Sequence, residues 1–121
     1  MADTPTSPDA ALDPEDKKIL TLARSTRARN GVAEGAAVRD ETGRTYAAGT
    51  VELPSLRLSA LQVAVAMAVA SGARGLEAAA VVSTADAPAD ADLAAVRDLG
   101  GPGTPLLLAG PDGVPHTTAR A

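Results

Sequence analysis

Residues 55–73 read SLRLSALQVAVAMAVASGA, with no charge between Arg57 and Arg74. Leu58, Leu61, Val65, Met67 and Val69 spread apolar atoms round most of a helical circumference, as in a helix buried on several sides. The spacing predicts a central core helix. Ser55 directly after Pro54 is a suitable N-cap, and Gly72 with Gly75 supplies the stop. The charge-free run is too short and too alanine-rich to span a bilayer easily, and Gln62 lies inside it, so a soluble protein is expected.

The rest of the composition bounds what can surround that helix. At 121 residues without internal repeats, a disordered tail at 1–12 and a single domain at 13–121 are expected. The core must be built without Phe, Trp or Cys and with one Tyr, and only about a fifth of the residues are Leu, Val or Ile. Alanine makes up the deficit. Alanine-faced helices pack closely but bury little area each, so further burial by association with copies of the same chain is expected. The net charge of -4 argues against a nucleic-acid or anionic-membrane partner. Zero cysteines exclude disulfides and thiolate metal sites. The N-terminus lacks the pattern of a signal peptide, so a cytoplasmic location is expected. The preference for Arg over Lys points to a GC-rich, bacterial genome.

Asp13, with Pro14 in the first turn and Glu15 and Asp16 following, starts a helix that runs to about Arg29. Arg24, Arg27 and Arg29 crowd its end, where the helix dipole favours cations. Residues 35–52 read as a hairpin turning at Thr42 and Gly43. Residues 76–83 form an apolar strand. Asp86 and Pro88 signal a helix from about 88 to 99, closed by Gly100 and Gly101, and residues 104–109 are another buried strand. A turn at 111–113 leads into a short exposed tail. The order α-β-β-α-β-α-β is that of an α/β layered domain with a mixed sheet.

Several stretches taken in order resemble the small zinc-dependent cytidine deaminases: Gly35-Ala36-Ala37 entering a hairpin, Gly43-Arg44, Tyr46, Val51-Glu52, the alanine-rich helix, the Ala80-Val81-Val82 strand and Thr104-Pro105 opening a leucine strand before Pro111-Asp112-Gly113. The resemblance covers roughly residues 15–118. It implies a three-layer α-β-α sandwich on a mixed sheet of about five strands, and an oligomer, usually a tetramer. It also implies a zinc held by three His or Cys ligands, with a glutamate shuttling protons beside it. Laid over this chain, the first ligand falls on Ser59, the acid on Leu61 and the other two ligands on Ala89 and Asp92. All four positions are changed. The ribose-binding element falls on Thr50-Val51-Glu52, where only Glu52 is kept, and the aromatic of the base pocket falls near Val32.

Other constellations read as local structure. Asp86, Asp90 and Asp92 could form a hard-cation site, but carboxylates at a helix start are helix caps and dipole partners more often than ligands. The GGPG at 100–103 precedes a strand and so lacks oriented amides for phosphate. Ser59 has no local base, because the sole histidine is His116. Glu52 reads either as a remnant of ribose binding or as an exposed acid at a strand end. The sequence thus reads as a catalytically inactive deaminase-like protein without zinc, an oligomeric interaction or accessory protein whose expected partner is a second copy of itself. The alternatives are a binding module that keeps the pocket for a nucleoside-like molecule, and a hydrolase of changed chemistry.

Overall fold

Residues 12–121 are described by the computed structural model, so the tail expected at 1–12 lies outside the described residues except for Leu12, which packs against the core. Asp13 accepts the Glu15 amide at 2.8 Å and starts α1 (Pro14–Asn30), which Gly31 closes in the left-handed conformation. The chain then makes β1 (Gly35–Asp40), β2 (Thr45–Gly49), β3 (Val51–Leu53) and β4 (Leu56–Leu58) before α2 (Ala60–Ala70). β5 (Leu76–Val82), α3 (Asp90–Gly100), β6 (Pro105–Ala109) and β7 (Pro115–Arg120) follow.

Five strands form one sheet in the order β2-β1-β5-β6-β7. β5 and β6 are parallel and the other neighbours antiparallel, so the sheet is mixed, as the resemblance implies. Side-chain alternation explains why its central strands are apolar throughout. Ala37, Ala78, Ala80, Val82 and Leu107 meet Ile19, Leu20 and Ala23 of α1 on one face. On the other, Ala36, Val38, Ala79, Val81, Leu106 and Leu108 meet Leu61, Val65 and Val96 of α2 and α3. The result is three layers, α1 on one side and α2 with α3 on the other.

The β1–β2 turn is fixed by Asp40. Its Oδ1 accepts the Thr42 amide, the Thr42 hydroxyl and the Arg44 amide at 2.8, 2.7 and 3.0 Å, and its Oδ2 accepts the Tyr46 hydroxyl at 2.9 Å. Burial by itself would raise this carboxyl, but the four bonds to its charged form prevail and hold it below the usual carboxylate range.

Four expectations need correction. The central helix begins at Ala60 and not after Ser55, because Pro54 and Ser55 turn β3 back into β4, and Leu56 and Leu58 belong to that hairpin. The second strand of the expected hairpin breaks after Gly49, where Thr50 bonds to Glu34 and β3 leaves the main sheet. The stretch after the 111–113 turn is the edge strand β7 and not a tail. Finally, α2 is not buried on several sides: Ala60, Leu61, Ala64, Val65 and Ala68 face inward, while Met67 and Val69 are 40% and 53% exposed. Among the described residues no helix is long and apolar enough to cross a membrane.

Gly35 is where α1 and the sheet come closest. A Cβ there would fall on the Ala23 carbonyl oxygen and within 2.9 Å of Arg27. The obstacle is helix backbone, which cannot swing aside. Gly35→Ala is therefore expected to cost about 3 kcal/mol and to lower the melting temperature by about 10 °C or more, read by circular dichroism.

Candidate functional site

The β3–β4 hairpin delivers the chain to Ser59, which caps α2. Its Oγ accepts the Gln62 amide at 3.1 Å and its own amide donates to Gln62 Oε1 at 3.0 Å, a reciprocal capping box. The Ser59 hydroxyl proton goes elsewhere: it is donated to Asp92 Oδ1 at 2.6 Å. Asp92 lies in the first turn of α3 and is 4% exposed. Burial pushes its carboxyl up, and the Ser59 hydrogen bond draws it back only in part. Two of the positions singled out in the sequence, Ser59 and Asp92, are thus joined across the N-termini of α2 and α3.

Glu34, which the sequence reading missed, is the third member. It stands between α1 and β1, and its side chain accepts from the Ser83 hydroxyl and the Ala60 amide. Burial, and after it the Asp92 charge, raise the Glu34 carboxyl above its ordinary value against those two hydrogen bonds. The available signal was an acid set directly before the apolar strand start Gly35-Ala36-Ala37. Thr50 holds Glu34 from the other side: its Oγ1 accepts the Glu34 amide at 3.0 Å and its own amide donates to the Glu34 carbonyl at 3.3 Å.

The remaining positions do not join this cluster in the expected way. Leu61 is 0% exposed and belongs to the core with Val38, Leu106 and Leu108. Ala89 is the N-cap of α3 but makes no side-chain cap, and it is exposed with Asp86 and Asp90. Asp86, Asp90 and Asp92 therefore do not gather into a cation site, and among the described residues no group of three His, Cys, Asp or Glu could hold a metal ion. His116 is exposed on β7. Glu52 is exposed on β3, where it and Thr50 line two open clefts of about 260 and 370 Å³; Ser59 and Arg57 border the first and Val32 the second.

A model of the cytidine deaminase-like family matches residues 12–113. The chain belongs to that family. Among solved structures it is similar to the cytidine deaminase of Burkholderia pseudomallei, at 24% identity over 85% of this chain and 90% of that one, with a TM-score of 0.74. The enzyme of Mycobacterium leprae is 23% identical over 89% and 94%, with a TM-score of 0.69. That of Mycobacterium tuberculosis is 25% identical over 86% and 90%, with a TM-score of 0.66. These likenesses are of fold. A search of curated proteins finds no match.

The family resemblance implies zinc where α2 and α3 begin, and the side chains there do not fit it. Zinc takes thiolate, imidazole or carboxylate donors. Here the first ligand position offers a hydroxyl that donates its proton, the second a methyl group, and only the third a carboxylate. The position onto which the resemblance lays the proton-shuttling acid, Leu61, is sealed in the core.

Two carboxyls raised by burial, Glu34 also by the Asp92 charge, make stability depend on pH. Because the folded-state values lie above the unfolded ones, the folded state holds protons the more tightly. The pair's stabilising contribution is complete below the unfolded value of about 4 and is lost as pH rises through the raised folded values. Glu34→Gln keeps the hydrogen-bonding shape without the charge. It is expected to raise the melting temperature at pH 7.5 and to change it little at pH 4. The gain should be at most about 1 kcal/mol, since solvent screens a half-buried group. Melts across that pH range check the sign.

Proposed function

We propose that this chain is a catalytically inactive member of the cytidine deaminase-like family, without zinc, that acts as an oligomeric interaction or accessory protein. The observation that carries the proposal is that Leu61, onto which the resemblance lays the family's acid, is fully buried among core side chains. A proton shuttle needs a titratable group facing a cavity. Leu61 offers packing in its place, and the neighbouring Ser59 donates its hydroxyl proton to Asp92. Self-association is supported by large apolar side chains left exposed on neighbouring elements: Leu53 and Leu56 on the β3–β4 hairpin, and Met67 and Val69 on α2.

A second reading, a binding module for a nucleoside-like molecule, is favoured by one feature, the open clefts that share Thr50 and Glu52. Thr50 already spends its hydroxyl on the Glu34 backbone, which leaves Glu52 as the group with which to recognise such a ligand.

Leu61→Glu separates the two readings. In a packed core the new carboxylate must be desolvated or take up a proton, and the apolar contacts are lost as well. The expected cost is on the order of 3 kcal/mol, a fall of about 10 °C or more in melting temperature, while Glu52→Gln changes little. A melt of Leu61→Glu that overlays the wild type, with cytidine binding weakened by Glu52→Gln, would favour the binding module. Light scattering after size exclusion is expected to show a dimer or tetramer at micromolar concentration, and a clean monomer would contradict the interface argument.

A further inference from the structure

On the α1 side of the sheet, away from the Ser59–Asp92 cluster, a cavity of about 440 Å³ lies between α1 and the turn that joins β6 to β7. Its volume is in the range of small-molecule sites. Lys17, Thr21, Arg24 and Ser25 line it from α1, at spacings of four, seven and eight residues that place them on one helix face. Leu20 and Val114 add an apolar surface. In a chain of net charge -4, Arg24 flanked by two hydroxyls stands out among the described lining residues.

Arg24 is held there by shape. Its stem lies over Gly113, where a Cβ would come within 2.8 Å of Arg24 Cδ, so the turn carries a residue without a side chain at the point of contact. Gly113 also takes φ +81°, which glycine adopts without strain. The Arg24 guanidinium makes no hydrogen bond or ion pair among the described residues. Asp112, the one acid among the described lining residues, is occupied in the turn, where its Oδ1 accepts the Val114 amide at 2.9 Å.

We propose that this cavity binds a small phosphomonoester. A carboxylate presents two oxygens, which the Arg24 fork alone would saturate. The third oxygen of a phosphoryl group also uses the Thr21 and Ser25 hydroxyls, and Leu20 and Val114 receive a short carbon body. The proposal does not depend on whether the opposite face is a packed core or a nucleoside site.

The test is an amide-resolved NMR titration of the full ¹⁵N-labelled chain with glycerol 3-phosphate, inorganic phosphate and propionate, each at constant ionic strength set with chloride. The phosphate compounds are expected to give saturable shifts confined to residues 17–28 and 110–114. Arg24→Gln, a change at an exposed position whose spectrum also reports its fold, is expected to weaken binding at least tenfold, and Arg24→Lys to recover part of the loss. Shifts that grow without saturating, saturable shifts centred elsewhere, an affinity within twofold of wild type in Arg24→Gln, or propionate binding as tightly as the phosphates would each overturn the proposal.

Discussion

The small side chains on both faces of β1 and β5 set the geometry on which the rest of the molecule depends. With Ala36 and Ala79 toward α2 and α3, and Ala37, Ala78 and Ala80 toward α1, only methyl groups stand under the helices at these positions, beside the valines and leucines of the same faces. Close packing repays this through many short contacts, since dispersion falls steeply with distance. It also explains why Gly35 tolerates no Cβ, and why the starts of α2 and α3 come within one hydrogen bond of each other at Ser59 and Asp92. Without aromatic bulk the layers bury modest area per residue, and Met67, Val69, Leu53 and Leu56 are left exposed.

At the convergence of β1, β5, α2 and α3, a hydrogen-bonded cluster stands where the family resemblance implies a metal. A hydrogen bond to a charged group contributes about 1.5–3 kcal/mol, and the Ser59–Asp92 bond ties two helix starts together in that way. Glu34 adds a second carboxyl whose charge is poorly solvated and repelled by the first. The dipole of α2, reached through the Ala60 amide, offsets part of that cost. The cluster is satisfied, with no buried side-chain polar atom left unpartnered among the described residues.

Much of this was legible in the sequence because it rests on local pattern. Asp13 and Pro14 announce α1, and the apolar runs at 76–83 and 104–109 are the central strands. Ser59, Leu61 and Asp92 were found by the family pattern, and Ser59 and Asp92 do meet. What escaped depends on contacts distant in sequence. The start of α2 was placed four residues early because apolar spacing cannot tell Leu56 and Leu58 in a hairpin from a first helical turn; the Ser59–Gln62 capping box was the better signal. β7 was missed because Pro115, His116 and the threonines that follow carry little strand character without β6 beside them. Glu34 was missed because a lone acid before a strand reads as a solvated turn until α3 brings Asp92 to it.

We propose that this family fold is kept without its metal chemistry, with Leu61 and the Ser59–Asp92 bond in its place. Elemental analysis of the purified full chain after exposure to excess zinc and desalting, together with ammonia release from cytidine and deoxycytidine, tests it most directly. Zinc well below one per chain and no turnover above the uncatalysed rate are expected. One tightly held zinc per chain accompanied by deamination would contradict the proposal.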